Sequence, residues 1–248
     1  MSFKIAVDAG HGLTTAGKNV VKKLDAAQTK EWVMNDRVTR HFIEAAKQYE
    51  GVEILRVDDP TGKTDVALAT RVKKANDWGA DLYFSNHHNA AKDDGSVFSG
   101  GGVVAFSYKE GGEAAKYRDE IYKACIAAGG LKGNRADPLL TANFYVLKNT
   151  KAPAVLMEYG FMDSTVDVPV IMQESYSKKM GYAAMEAIAK VKGLKKKASP
   201  VTQASTSTPG KIYRVQIGAF SVKENAEKQL AKAKATGFAD AFIFEEEV

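Results

Sequence analysis

At 248 residues, 45% hydrophobic, 26% charged and formally +5, the chain has the length for one full core plus a small appendage and the composition of an ordinary globular protein. The charge favours polyanionic partners, whether nucleic acid, an anionic membrane or a wall carrying acidic polymers, and does not choose among them. The one cysteine, Cys125, excludes an intrachain disulfide framework and reads as a buried bystander thiol in a helical stretch.

The chain opens on the apolar run FKIAVD, with no charged-then-apolar leader, so the expectation is synthesis in the cytoplasm without a secretory signal. No apolar run approaches the roughly 20 residues that span a bilayer, which argues against membrane insertion. Strand-like runs follow at 3–8, 52–57, 81–86, 103–107, 143–148 and 153–158. They alternate mostly with helix-period stretches near 26–48, 64–78, 112–128 and 174–192. Strands separated by helices predict an α/β fold with a largely parallel twisted sheet flanked by helices, the 143–158 pair being a hairpin-like exception. Ligands of such sheets gather at the carboxyl ends of the strands.

These runs assign residues 1–192 to one catalytic domain. Residues 193–210 are rich in Lys, Ser, Thr and Pro and bury almost nothing, which predicts a flexible linker spanning about 20–25 Å as a random coil. Its Lys195–Lys197 run reads as a solvated charge cluster. From 211 to 248 the pattern is strand, helix, strand, with Ala226, Leu230 and Ala233 at helical spacing. A unit this small rarely has a core sufficient to stand alone and is expected to pair, most simply with a second copy of itself.

Candidate chemical residues sit where elements begin or end. His11 follows the first strand between Gly10 and Gly12, which permit a tight turn there. Glu31 shares the buried stripe of its helix with Met34, Val38, Phe42 and Ala45, and Asn35 lies one turn on. A carboxylate directed into a core needs a cation, so Glu31 meets either a metal or an arginine such as Arg71 or Arg37. In SNHHN, alternation groups Tyr83, Ser85 and His87 on one side and Phe84, Asn86 and His88 on the other, so one histidine at most is a ligand. Glu158 ends the apolar run APAVLM, where it caps the next helix, pairs with a lysine or moves protons. The glycines of GSVFSGGGVV match no phosphate-binding pattern and read as loop. Two imidazoles, a carboxylate and a further carboxylate are what a hydrolytic zinc site requires.

Together VDAGHG, the Glu31/Asn35 pair, the Leu68–Asn76 segment with its Arg71, ADLYFSNHHN and PAVLMEYGF resemble the zinc-dependent N-acetylmuramoyl-L-alanine amidases of autolysins and phage endolysins, over residues 1–192. The resemblance implies Zn2+ on His11, Glu31 and His87, with Glu158 as the catalytic acid–base. His88 stands where the family commonly has a small residue and is expected to alter the cleft wall, and Asp163-Ser164 stands where Ser-Asn is common. The tail resembles the sporulation-related (SPOR) peptidoglycan-binding repeat through YRVQIGAFS, with one strand-helix-strand half where that module has two. The implied protein hydrolyses the amide between N-acetylmuramic acid and L-alanine, binds peptidoglycan and anionic wall polymers rather than nucleic acid, and acts at the wall after release as an endolysin or lysis-stage autolysin. A zinc peptidase cutting within the stem peptide and a catalytically silent wall-binding protein are the rivals.

Overall fold

A computed structural model describes residues 2–92, 94–197 and 218–245, the last apart from 236, 237, 239 and 240. The chain divides into two compact units, Met1–Lys197 and Ala198–Val248.

The first unit carries a six-stranded sheet: β1 (Phe3–Ala9), β2 (Val52–Arg56), β3 (Leu82–Asn89), β4 (Val104–Ser107), β5 (Leu139–Thr141) and β6 (Ala154–Phe161), in the order β2-β1-β3-β6-β4-β5. All neighbours are parallel except β4 against β6. Its helices are α1 (Glu31–Ala46), α2 (Leu68–Trp78), α3 (Gly112–Ala127), α4 (Tyr145–Asn149), α5 (Val168–Ile171) and α6 (Glu174–Lys192). Alternation along β1 sorts the two cores. Phe3, Ile5 and Val7 join Met34, Val38 and Phe42 of α1, Ile121 of α3 and Met180 of α6. Ala6 joins Val72 and Ala75 of α2 with Val146 and Leu147 of α4. Helices on both faces explain why β1 and β6 read as near-continuous apolar runs. Among the described residues no helix is long and apolar enough to cross a membrane.

Three elements differ from the sequence reading. The run at 143–148 is not a strand: Tyr145–Asn149 forms the short helix α4, because Val146 and Leu147 are buried while Phe144 and Tyr145 are exposed, a pattern of one helical turn rather than of alternation. The antiparallel pair is instead β4/β6, which are far apart in sequence and form no hairpin. Helix α1 begins at Glu31 and not near 26, since Asp25 turns its carboxylate onto the backbone N–H groups of Ala27 and Thr29 and Gln28 takes φ +50°.

The chain after α6 stays attached beyond 192. Lys195 O accepts from Glu50 N at 2.9 Å, Lys197 N donates to Gln48 O at 2.7 Å and Lys196 pairs with Glu186. In the second unit, α7 (Lys223–Ala235) supplies the expected helix. The first expected tail strand, at 212–217, lies outside the described residues. Residues 241–245, where the second was expected, form no strand among the described residues.

Helices α1 and α6 approach closely at Gly181, where a Cβ would stand 2.6 Å from Val38 O and 2.7 Å from Phe42 N. Because backbone cannot move aside as a side-chain tip can, Gly181→Ala is expected to lower the unfolding free energy by roughly 1–3 kcal/mol. Urea denaturation measures this, and an unchanged midpoint would show that the helices separate freely.

Candidate metal centre

Parallel strands β1, β3 and β6 end side by side, and the centre forms there. His11 lies two residues past β1, His87 and Glu158 are in register on β3 and β6, and Glu31 is the first residue of α1, which packs over the strand ends. A register shift between His87 and Asn89 breaks the alternation of β3 and re-aims its last side chains.

His11 Nε2 stands 3.3 Å from Glu31 Oε2, and His87 Nδ1 stands 3.0 Å from Glu31 Oε1. The two rings meet edge to face at 5.0 Å. One ligand-type atom from each of the three residues lies within 4.8 Å of the others, a spacing that admits one cation. The polypeptide accepts local costs to make this arrangement. His11 holds φ +64°, a left-handed conformation that costs a non-glycine residue on the order of 1 kcal/mol. Gly10 must be glycine, because a Cβ there would lie 2.0 Å from the His87 ring.

Glu31 is 1% exposed, and its two oxygens are served unequally. Oε1 accepts from His87 Nδ1, from Asn35 Nδ2 at 3.1 Å and from the N–H of His88 at 3.2 Å. Oε2 is buried with no hydrogen-bond partner. Neither arginine considered as a counterion touches it: Arg71 pairs with Asp8 and Asp65, and Arg37 with Glu174. Burial opposes ionisation of Glu31, yet the hydrogen bond and charge of His87 and the proximity of His11 overcome it and hold the carboxyl at about 2. Burial pushes His11 down to about 4 against the attraction of Glu31, so its imidazole is neutral and has a lone pair to offer at neutral pH. Burial also opposes the charged form of His87, but Glu31 outweighs it and raises this pKa.

Glu158 has the opposite environment. It has no salt bridge and caps no helix among the described residues, and its Oε2 is buried without a hydrogen-bond partner. Burial pushes its pKa up to about 8, only partly offset by the charge of His87.

His88 does not line the cleft. It is 2% exposed, its Nδ1 lies 2.8 Å from Asn35 Oδ1, and burial holds it down at about 3. The residue sits behind Glu31 because its strand position faces α1, so an imidazole there backs the carboxylate. A second buried cluster was not anticipated. Asp8 accepts from Arg71 Nη1 at 3.0 Å, Tyr83 Oη at 2.9 Å and Ser85 Oγ at 2.5 Å, while Arg71 also donates to the carbonyls of Ala9 and His11. The available signal was an aspartate closing an otherwise apolar strand. Burial pushes Cys125 up to about 12, so it is an inert thiol.

The sequence pattern of the N-acetylmuramoyl-L-alanine amidase family (Amidase_3) matches residues 5–190, and that of the SPOR domain matches residues 183–245. The chain is 30% identical to N-acetylmuramoyl-L-alanine amidase CwlM of Bacillus licheniformis over 97% of its own length and 84% of the relative's. It is 31% identical to the sporulation-specific N-acetylmuramoyl-L-alanine amidase of Bacillus subtilis strain 168, over 95% and 82%. The catalytic domain of CwlV, an amidase of the same name from Paenibacillus polymyxa, superposes with a TM-score of 0.66 at 23% identity, covering 78% of this chain and 99% of that one. This structural likeness speaks to the fold.

The raised pKa of Glu158 makes stability depend on pH. Below its ordinary value of 4.5 the carboxyl is protonated whether the chain is folded or unfolded. Between 4.5 and about 8 only the unfolded chain ionises, so the stability of metal-free protein falls as pH rises through that window. Glu158→Gln is expected to flatten this decline, read as Tm against pH in chelator-treated protein. Parallel curves for the variant and the parent would show that Glu158 is already ionised in the fold.

Proposed function

The chain belongs to the N-acetylmuramoyl-L-alanine amidase family, and from that premise we propose that His11, Glu31 and His87 hold Zn2+ and that Glu158 moves the protons of the cleavage. The protein is a peptidoglycan hydrolase that breaks the amide between N-acetylmuramic acid and L-alanine. The observation that carries the zinc reading is Glu31 Oε2, a buried anionic oxygen without a hydrogen-bond donor, facing a neutral imidazole at 3.3 Å. Such an oxygen is costly in a core unless a cation takes it up. Two imidazoles and one carboxylate are also the donor set of hydrolytic zinc sites that keep a position open.

When bound, Zn2+ supplies Lewis acidity that polarises the scissile carbonyl and brings the pKa of water from 15.7 towards about 7. The remaining work falls to the protein. His11, whose imidazole is neutral, and His87 present ring nitrogens from two adjacent strand ends, Asn35 and the His88 N–H fix the Glu31 carboxylate, and Arg71 fixes the carbonyls of Ala9 and His11. Glu158 accepts the proton of the attacking water as the carbon–oxygen bond forms, then delivers it to the alanine nitrogen as the carbon–nitrogen bond breaks. Burial suits it to this, because it keeps the proton affinity of a carboxyl near that of a neutral-pH base.

The test is digestion of purified peptidoglycan with simultaneous measurement of bound zinc. Wild-type protein is expected to produce new alanine amino termini without new reducing sugar ends. Glu31→Gln should lose both zinc and activity, whereas Glu158→Gln should keep one zinc per chain and lose on the order of 10² to 10⁴ in rate. Full zinc occupancy in Glu31→Gln, or near wild-type turnover in Glu158→Gln, would overturn the assignment.

For the second unit we propose attachment to the wall through pairing with the same unit of another chain, with the overall positive charge favouring anionic wall polymers. The SPOR match supports the target. The exposed Phe238 and Phe242 support a need for covering surface. Truncation after Lys197 is expected to leave hydrolysis of small soluble muropeptides unchanged while weakening binding to intact walls. Sedimentation showing monomers for both forms across micromolar concentrations, with equal wall binding, would refute both roles.

A further inference from the structure

Beside the metal centre lies a feature that the amide chemistry leaves unused. A groove of about 1010 Å³ opens between the loop at 16–28 and the segment following β3, and its lining stops short of His11, Glu31, His87 and Glu158. Lys18, Lys22, Lys23 and Lys92 line it, all four exposed. None of them forms a salt bridge among the described residues. Among the described acids of these two segments, Asp25 holds the backbone of its own turn, and Asp94, near Lys92, accepts from Ser96 N.

Both walls are anchored to the elements that carry the site. Lys18 O accepts the N–H of Glu31 at 3.0 Å, and the Lys18 ammonium is close enough to act electrostatically on both His11 and Glu158. Val21 N donates to Met162 O at 3.2 Å, just past β6. Asp163 also lines the groove and is fully buried. Its Oδ2 accepts from the N–H groups of Ala91 and Lys92 at 2.8 and 2.7 Å, while its Oδ1 is buried with no hydrogen-bond partner. A burial cost of that kind is recovered when a ligand N–H arrives.

We propose that this groove receives the carboxylate-bearing part of the stem peptide, with the lysines taking its carboxylates and Asp163 Oδ1 accepting one of its N–H groups; this rests on the amidase reading above. The amide to be cut joins a sugar to a short peptide, and it is the peptide beyond the first alanine that carries the negative charge. Four extended residues reach about 13 Å, a length that a groove of this size accommodates. An anionic wall polymer would satisfy the lysines equally, but it has no need to lie against the reacting centre.

The experiment compares zinc-loaded full-length protein on two soluble muropeptides that differ only in whether the stem carboxyls are free or converted to carboxamides. Wild-type protein is expected to favour the free carboxylates on the order of 10-fold in kcat/KM, a preference that shrinks as salt rises. In the Lys22→Gln/Lys23→Gln double variant, at two exposed positions outside the metal centre, the preference should collapse through KM. Equal kcat/KM for the two substrates in wild-type protein would overturn the proposal, as would a preference that survives in the double variant. A variant that loses attachment to polymer-bearing walls with unchanged muropeptide kinetics would assign the groove to the polymer and overturn it too. If wild-type protein releases alanine amino termini from neither substrate, it is the amidase reading that fails.

Discussion

The structure depends on one buried charge, the carboxylate of Glu31. A carboxylate at 1% exposure is untenable alone, and here it is held ionised by two imidazoles, an amide, a backbone N–H and its place at the amino end of α1, where helix dipoles favour negative charge. Those partners come from the turn after β1, from the end of β3 and from α1 itself. The position of α1 over the sheet and the adjacency of β1 and β3 therefore all bear on whether this group is tolerated. The close approach of α1 and α6 at Gly181 sets the first of these, and parallel pairing sets the second.

Around that charge the protein keeps two carboxylates in contrasting states. Glu31 is pulled to about 2 by its partners, and Glu158, with none, is pushed to about 8 by burial. Residues that begin chemically alike are thus separated into one suited to hold a cation and one suited to exchange a proton, the usual way a fold divides acid and base work at neutral pH. The left-handed His11 belongs to the same economy: its unfavourable backbone is held by Arg71, which bonds the carbonyls of both Ala9 and His11 and is itself fixed by Asp8.

Electrostatics extend outward from the centre. Lys18 links the candidate metal centre to a lysine-lined groove whose opposite wall is tied down by the buried Asp163. The excess positive charge of the chain is thereby partly concentrated where a peptide leaving the scissile bond would run, rather than spread evenly over the surface.

Sequence by itself determined the local matters. The apolar alternation of β1, β3 and β6 and the helical stripe of α1 were legible because burial on two faces or one leaves a period in the residue pattern. Glu31 stood out because a carboxylate on an apolar stripe violates that pattern, and His11 and Glu158 because they end apolar runs. Local pattern could not tell a strand from one helical turn at 145–149, where short β-prone runs fit both, nor show that β4 reverses against β6, since partner choice is a long-range property. It also could not separate His87 from His88. Tertiary structure places the two differently: α1 packs against the face that His88 shares with Asn86, and His87 lies with His11 and Glu31 where ligand-type atoms of all three are close together. The unpartnered oxygens of Glu31, Glu158 and Asp163 likewise exist only in the fold, because whether a polar atom is satisfied depends on every element that packs against it.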